Sequence, residues 1–371
     1  MKTLSLLILS DQTIPNLQFI KEFDKQVDGY VILTTDYVQK KGIKDWLLSA
    51  AKVDENRVFE EISVQAHDYN DIETKLSQTI DESYEYLVNI TGGTKIMSLA
   101  CANFFKDLRS TIYYISYNNE LIQIFPGKTK TVRPLSSPPI TLEEYLTAYG
   151  FKIIRKAQPH IEDKLLEKLF HYHARRKAQE DAEFLEILQQ HRSKKQLFID
   201  AVQGFRDFLS RCCGGIFARK ESLSKEEIKQ LSGEWLEEWT YKKVKNQLQL
   251  DEAFMGMGVE VEKNGVKNEF DVLFVYKDVI YSVECKTSLY FLKGEGEQRR
   301  KKYFVGEVIY KSDSLQSEFG LKPRTFVLTM GDAGGIPEDH RKRAENNKIT
   351  IIDRNDLLDG KLFKKLKIPV A

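Results

Sequence analysis

The chain has 371 residues and a mass of 43.0 kDa, which is enough for two domains that each have their own core. Its 42% hydrophobic and 30% charged residues are typical of a soluble globular protein. With 56 basic and 55 acidic residues the net charge is only +1, so the overall charge does not indicate nucleic-acid binding and any such surface has to be local.

The cysteines and the amino terminus indicate a cytoplasmic protein. Cys101, Cys212, Cys213 and Cys285 show no Cys-x-x-Cys spacing, which disfavours a disulfide framework or a zinc site and favours reduced thiols. The opening apolar run lacks a basic leader and a small-residue cleavage site, and no stretch of 18 apolar residues follows. We therefore expect no secretory signal and no membrane span.

Strands alternate with helices over the first 100 residues. An apolar strand at residues 1–10 is followed by an amphipathic helix over 14–23. The same alternation continues in strands at 29–36, 58–60 and 86–90 and in helices at 38–51 and 71–83. This order predicts an α/β domain with a parallel, Rossmann-like sheet.

Polar residues follow three of these strands, at Ser10-Asp11-Gln12, Thr34-Thr35-Asp36 and Thr91–Lys95. In parallel sheets the ligand binds outside the carboxyl ends of the strands. The glycine pair in the last segment allows close backbone approach, and the N–H groups that open the next helix favour an anion. The segment matches neither a Walker A loop nor Gly-x-Gly-x-x-Gly. A glycine turn needed only for tight strand-to-helix packing is the alternative.

The stretch Asn-Ile-Thr-Gly-Gly-Thr-Lys-Ile-Met at residues 89–97, together with the alternating elements, resembles the CRISPR-associated Rossmann-fold (CARF) sensor domains. The resemblance implies a receptor for cyclic oligoadenylate, the second messenger of type III CRISPR complexes, with cyclic tetra-adenylate as the expected activator. The implied binding residues are Ser10, Asp11, Gln12, Thr35, Thr91, Gly92, Gly93, Thr94 and Lys95, with Met97 nearby. Because such a ligand has two-fold symmetry, we expect a homodimer that binds it across the interface.

A segment of different character follows the first domain. Two strands at 111–116 and 121–125 are followed by Pro134, Pro138 and Pro139, which are expected to break regular structure. Helical patterns then cover 160–192 and 196–212. The predicted organisation is a sensor at 1–140, a helical connector at 141–225 and a second α/β domain at 226–371. A helix-turn-helix in the connector is an alternative without a clear recognition helix.

A β-hairpin is predicted from the runs 268–275 and 279–286, joined at residues 276–278. It gathers Asp271, Glu284 and Lys286, while Cys285 points to the opposite face because side chains alternate along a strand. Two carboxylates suit Mg²⁺ or Mn²⁺, and an ammonium suits the charge on a phosphate under attack. The pattern predicts phosphodiester hydrolysis, although Asp-x(12)-Glu-x-Lys also occurs by chance.

Upstream of the hairpin, residues 233–244 form an amphipathic helix in which Glu237 and Glu238 follow Trp235 and Leu236. Helix and hairpin together resemble the restriction-endonuclease-like nucleases with a PD-(D/E)xK motif, over roughly residues 225–371. The resemblance implies Asp271, Glu284 and the Cys285 carbonyl as metal ligands, Lys286 as the residue that positions water or stabilises charge, and Glu237 as the helix carboxylate. Phe270 stands where the motif has proline.

Beyond the hairpin, the basic run 293–302 is a candidate phosphate contact, with a solvated surface loop as the alternative. A helix over 303–315, in which Lys311 could approach the site, is followed by a strand at 324–330, a helix at 337–346 and a strand at 349–353. This order suits the rest of a restriction-nuclease core.

The two resemblances together match the architecture of CARF-nuclease effectors. They imply a metal-dependent endonuclease of type III CRISPR antiviral defence that is activated by cyclic oligoadenylate and cleaves nicked or single-stranded DNA. The alternatives are a CARF-regulated RNase with the same site and a non-catalytic, ligand-controlled regulator that binds nucleic acid.

Overall fold

A computed structural model describes residues 1–127, 131–175, 181–217, 219–293, 300–303, 306, 308, 318–320 and 323–368. In these residues the chain forms two large sheets with helices between and around them. No helix in the described part of the chain is both long and apolar enough to cross a bilayer.

The amino-terminal sheet has seven strands in the order β3-β2-β1-β4-β5-β6-β7. The strands are β1 (Thr3–Ile8), β2 (Gly29–Thr34), β3 (Val58–Ser63), β4 (Glu85–Asn89), β5 (Ser110–Ile115), β6 (Glu120–Phe125) and β7 (Thr131–Pro134). The pairs from β3 to β5 are parallel as predicted, whereas β6 and β7 add antiparallel because short turns connect them. The first of the three prolines therefore ends an edge strand, a position that proline tolerates.

Helices cover both faces of this sheet: α1 (Ile14–Phe23), α2 (Asp36–Lys41), α3 (Ile43–Ala51), α4 (Tyr69–Thr79), α5 (Lys95–Phe105) and α6 (Leu142–Thr147). Alternating residues of β1 explain the layering, because Leu6 and Ile8 pack towards α4 and α5 while Leu7 packs towards α1 and α3. The single helix expected over 38–51 is divided in two, since Gly42 has a left-handed φ of 74° that ends α2.

The second sheet has six strands in the order β17-β16-β13-β12-β11-β8. They are β8 (Lys152–Ala157), β11 (Met255–Lys263), β12 (Val266–Tyr276), β13 (Val279–Lys286), β16 (Arg324–Thr329) and β17 (Ile349–Ile352). The predicted hairpin is β12–β13. Strand β16 pairs parallel with β13, and β17 pairs parallel with β16. The prediction of a helical connector over 141–225 was wrong at β8, which forms an edge of this sheet by pairing with β11.

The rest of the connector packs onto the second sheet. Its elements are α7 (Asp163–Arg175), α8 (Ala182–Gln190), β9 (Gln196–Phe198), α9 (Phe205–Cys213), β10 (Ser222–Ser224) and α10 (Lys225–Lys229), and a π-helical turn leads into α11 (Trp235–Leu248). The predicted helix over 196–212 was therefore wrong in its first half, because β9 pairs with β10 and Gly204 at φ 76° starts α9. Phe170 of α7 stacks on Trp239 of α11 with ring centroids 4.4 Å apart, so the connector shares the core of the second domain.

The described residues after β13 also form two short strands, β14 (Tyr290–Lys293) and β15 (Arg300–Tyr303), and the helices α12 (Glu338–Asn346), α13 (Arg354–Leu358) and α14 (Leu362–Lys365). Most of the helix predicted over 303–315, including Lys311, lies outside the described residues, as do residues 294–299 of the basic run.

A buried carboxylate joins the two domains at the tip of the β12–β13 hairpin. Lys277 and Asp278 form the two-residue turn with φ of 51° and 56°, the left-handed pair that tight hairpins use. Asp278 is 9% exposed and accepts hydrogen bonds from Gln18 Nε2 on α1 and from the backbone N–H of Ile140, both at 2.8 Å. Leu273 and Ile280 of the hairpin lie in the same apolar cluster as α1, so the tip is fixed by both polar and apolar contacts.

Replacing Asp278 with alanine should lower the free energy of unfolding by about 1–3 kcal/mol, because the change leaves two buried donors without an acceptor. The midpoint of urea unfolding would measure this decrease. The control is Asp359→Ala, which removes an exposed pair with Lys361 and should shift the stability by less than about 0.5 kcal/mol. Equal midpoints for the two variants would contradict a stabilising role for Asp278.

Candidate functional site

The β12–β13 hairpin brings the three predicted catalytic side chains into contact. Lys286 Nζ lies 2.7 Å from Glu284 Oε1 and 3.3 Å from Asp271 Oδ2. Both carboxylates are mostly buried, with 14% of each side chain exposed, and Lys286 is 26% exposed. Burial disfavours the ammonium, but the negative charges of Asp271 and Glu284 outweigh that effect and raise the pKa of Lys286. The lysine is therefore a permanent positive charge between two carboxylates.

Backbone geometry places the Cys285 main chain beside Asp271. The Cys285 N–H donates to Asp271 Oδ2 at 2.7 Å, and in a strand the N–H and C=O of one residue point to the same side. The Cys285 carbonyl therefore also faces the Asp271 side. The thiol points the other way into the core, 3.6 Å from Thr240 Oγ1, and burial raises its pKa. The expected inward orientation of this cysteine is confirmed.

The two neighbouring glutamates of α11 have different surroundings. Burial, followed by the nearby charges of Asp271 and Glu234, raises the pKa of Glu237 to about 9. Glu238 is 1% exposed and accepts hydrogen bonds from the backbone N–H groups of His160, at 3.0 Å, and Ile161, at 2.8 Å. Glu237 therefore faces the catalytic hairpin, whereas Glu238 attaches the connector to α11.

The donor atoms at this point suit a hard divalent ion. Asp271, Glu284 and the Cys285 carbonyl offer only oxygen, which Mg²⁺ and Mn²⁺ prefer. In the described part of the chain, no group of three or more His, Cys, Asp or Glu side chains is arranged to hold a metal ion, so a site here depends on two carboxylates and main-chain oxygen. Burial, followed by the nearby carboxylates, raises the pKa of Glu237, and a bound cation would lower it.

A cleft of about 820 Å³ opens beside these residues. Carboxylates and cationic side chains both line it. The lining residues are Arg155, Ala157, His160, Arg192, Ser193, Lys225, Lys229, Glu234, Glu237, Glu238, Met257, Gly258, Glu269, Asp271 and Lys286. The sequence did not single out the four basic residues outside the hairpin, because they come from β8, the turn after α8 and α10 and share no motif.

The segments predicted to bind a ligand in the first domain lie at one edge of its sheet. They follow β1, β2 and β4, which are adjacent and parallel, so their carboxyl ends meet. Ser10 and Gln12 are partly exposed, and Thr35 caps α2 by accepting a hydrogen bond from the Val38 N–H at 3.4 Å.

The glycine turn at this edge is required by packing. A Cβ on Gly92 would lie 2.1 Å from the Ile8 carbonyl oxygen, and one on Gly93, which has φ of 75°, would lie 2.4 Å from the Ile8 side chain. Close strand-to-helix packing therefore explains why both residues are glycines. The N–H groups of this turn lie at the edge of the sheet.

The polar side chains of the turn also contribute to the fold. Thr91 donates to Asn89 Oδ1 at 2.6 Å, and Thr94 donates to the Ala66 carbonyl at 2.6 Å while capping α5. Met97 is 1% exposed and packs in the core, whereas Lys95 is exposed at the first turn of α5.

An exposed aromatic ring at the same edge was not predicted. Tyr37 is 55% exposed, and its hydroxyl donates to Asp11 at 3.1 Å. Lys41 Nζ contacts Asp11 at 2.8 Å and lies 4.5 Å from the centre of the tyrosine ring. A tyrosine next to the Thr-Thr-Asp segment was the available signal, since an exposed ring beside a polar strand end can stack on a base.

Fold and site define a two-domain protein in which a Rossmann-like domain is fused to a nuclease-type hairpin core. Residues 4–145 match the family described as the Card1 CARF domain, and residues 224–367 match the Card1-like endonuclease domain. The two matches together cover most of the chain, which therefore contains a Card1 CARF domain and a Card1-like endonuclease domain. The predicted fold class and both resemblances are confirmed.

Solved structures agree on the fold over nearly the whole chain. Can2 from Sulfobacillus thermosulfidooxidans, solved in complex with cyclic tetra-adenylate, is 21% identical with a TM-score of 0.74 and covers 98% of this chain and 99% of its own. Protein VC1899 from Vibrio cholerae is 19% identical with a TM-score of 0.75, covering 99% and 98%. A type III CRISPR defence DNA nuclease activated by cyclic oligoadenylate is 15% identical with a TM-score of 0.52 and covers 94% of this chain but 52% of its own. No curated protein matches the chain.

Glu237→Gln should stabilise the metal-free protein at neutral and mildly alkaline pH. The pKa of Glu237 is about 9 in the folded chain against an ordinary value of 4.5, so between these values the folded state keeps a proton that the unfolded state has released. The free energy of unfolding therefore falls as the pH rises through this window. Glutamine does not ionise, so the variant does not lose this stability. Urea midpoints in EDTA at pH 5 and pH 8 would test this, since the advantage of glutamine should be larger at pH 8. An advantage that is the same at both pH values would contradict the raised pKa.

Proposed function

We propose that the chain is a metal-dependent endonuclease of type III CRISPR antiviral defence that cyclic oligoadenylate activates to cleave DNA, nicked or single-stranded, in the cytoplasm. The observation that carries the proposal is the contact of Lys286 with both Asp271 and Glu284 inside a domain of the endonuclease family. A CARF domain in the same chain supplies the expected sensor. The four cysteines are free and buried, which suits a reducing compartment.

The catalytic roles follow from the charges at the hairpin. Asp271, Glu284 and the Cys285 carbonyl would hold a Mg²⁺ or Mn²⁺ ion, which would supply Lewis acidity and activate water for attack. Lys286 remains charged at neutral pH and stabilises the negative charge that builds on the phosphate oxygens. Burial raises the pKa of Glu237, so this carboxyl group, which lies near Asp271 and Lys286, keeps a proton at neutral pH.

The ligand site is proposed at the edge formed by Ser10, Asp11, Gln12, Thr35 and the Thr91–Lys95 turn. The N–H groups at the start of α5 and the Lys95 ammonium attract phosphates, and Tyr37 offers a ring on which adenine can stack. The Can2 structure contains cyclic tetra-adenylate, which supports this ligand class for a chain of the same fold. A ligand with two-fold symmetry is best bound by the same loops from two copies, so we propose a homodimer.

A short path connects that edge to the catalytic hairpin. Helix α1 begins directly after the Ser10–Thr13 loop, and Gln18 on this helix donates to Asp278 at the hairpin tip. A ligand that shifts α1 would therefore bias the position of β12 and β13, whose far ends carry Asp271 and Glu284.

The first experiment incubates the full-length protein and Mn²⁺ with supercoiled plasmid, single-stranded DNA or RNA, each with and without cyclic tetra-adenylate. Wild-type protein should cleave DNA only when the cyclic ligand is present. Lys286→Ala should reduce the rate by about 100-fold or more, because it removes the charge that stabilises the transition state.

Lys342→Ala is the matched control, since this exposed lysine of the same domain forms a surface ion pair with Glu338. An active Lys286→Ala variant would overturn the catalytic assignment. Cleavage of RNA alone would indicate the RNase, and ligand-controlled binding without cleavage of any polymer would indicate the regulator.

Lys95→Ala should weaken binding of cyclic tetra-adenylate by about 10- to 100-fold, which is the effect expected from removing one charge-assisted hydrogen bond. Calorimetric titration would measure the affinity. Lys106→Ala, at the other end of α5, is the control and should bind as tightly as the wild type. Unchanged affinity in Lys95→Ala would place the ligand elsewhere.

A further inference from the structure

We propose that the connector is part of the substrate site: Arg155, Arg192, Lys225 and Lys229 form a cationic wall that binds the phosphates flanking the one that is cleaved. The ligand class is a polynucleotide strand recognised through its backbone. The inference rests on the proposed nuclease function and adds to it the residues that hold the substrate.

The wall and the catalytic carboxylates line the same cleft. Asp271 and Lys286 come from the hairpin and Glu237 from α11, whereas the wall comes from β8, the turn after α8, and α10. A polyanion that approaches a cluster of carboxylates is repelled unless nearby cations compensate. Because the net charge of the chain is only +1, this compensation has to be local.

The ion pairs of these cations are long and exposed. Arg192 lies 3.3 Å and Lys229 lies 3.6 Å from Glu234 Oε1, and both side chains are 41% exposed. Arg155 is 59% exposed and lies 3.6 Å from Glu260. In strong ion pairs the nitrogen and oxygen atoms are about 2.8 Å apart. Because the pairs here are longer and exposed, a phosphate oxygen can replace these carboxylates with little loss of free energy.

The scaffold holds the wall in a fixed position. Lys225 follows Ser224, which forms a capping box with Glu227 at the start of α10. Gln189 of α8 donates to the Ser232 carbonyl at 2.6 Å, which fixes the turn carrying Arg192 to the segment before α11. Ile228 of α10 is fully buried in the core that the connector shares with the second sheet. Cations on a rigid support lose little entropy when they bind.

The test measures binding and cleavage separately with the full-length protein. Fluorescence anisotropy in EDTA, with labelled single-stranded DNA and RNA 20-mers of one sequence, compares the wild type with Lys225→Glu/Lys229→Glu. We expect the double variant to bind at least roughly tenfold more weakly. The slope of log affinity against log salt should fall by about 0.7 for each phosphate that the variant no longer neutralises.

Three variants sharpen the result. Lys164→Glu, an exposed charge change on α7 away from the cleft, should bind as the wild type does. Lys225→Arg/Lys229→Arg should keep the affinity, which would show that charge and not folding is measured. Glu234→Gln should bind more tightly, because it removes a carboxylate that competes for Arg192 and Lys229. In cleavage assays the charge-reversal variant should show its defect in KM.

If Lys225→Glu/Lys229→Glu binds both DNA and RNA with an affinity and a salt slope within twofold of the wild type, the wall is overturned. The proposal that the chain is a nuclease is not affected by that result. A wild type that binds neither strand at low salt would overturn the wall as well. If the double variant binds just one of the two oligonucleotides more weakly, the wall is supported, and that oligonucleotide is the preferred polymer. If the wild type binds through these cations but cleaves nothing, the wall stands and the nuclease proposal fails.

Discussion

The buried Asp278 carboxylate is the contact on which the arrangement of the two domains depends. Its two oxygens accept from Gln18 of the CARF domain and from the main chain just before α6, and both bonds are shielded from water. An acceptor that satisfies two buried donors has no ready replacement, because solvent cannot reach the site to substitute. The turn that carries Asp278 is also the turn of the catalytic hairpin, so the same residue orients the nuclease strands and joins them to the sensor.

At the other end of the hairpin, opposing electrostatic effects are balanced. Lys286 lies within ion-pair distance of both Asp271 and Glu284, and a third carboxyl group, that of Glu237, lies near Asp271. Lys286 therefore stays charged, while the third carboxyl, Glu237, takes up a proton because desolvation and its neighbours disfavour ionisation. The carboxylate oxygens of Asp271 and Glu284 are ligands of the kind that a hard divalent ion prefers. The raised pKa of Glu237 also makes the folded chain less stable as the pH rises towards the alkaline range.

Features formed by residues close together in the sequence were predicted, whereas features formed by residues far apart in the sequence were missed. The hairpin was predictable because Asp271 and Glu284 lie on two strands joined by a tight turn, and α11 was predictable from its apolar spacing. Strand β11, between β8 and β12, was missed because Gly256 and Gly258 interrupt the alternating pattern, and Gly258 takes a left-handed φ of 49°. Strand β8 was assigned to the connector because nothing local shows that it pairs with a strand about 100 residues later.

The cations of the cleft are a clearer example of residues that local sequence patterns do not bring together. Arg155, Arg192 and Lys225 are ordinary charged residues in their own segments, and they become a group only when β8, α8 and α10 pack around α11. The basic run at 293–302 stands out because its charges are adjacent in sequence, yet adjacency in sequence says little about a surface assembled from three elements. A substrate cleft is a tertiary property, whereas a metal-binding hairpin is nearly a local one. For that reason sequence patterns find the catalytic chemistry of a nuclease before they find the surface that selects its substrate.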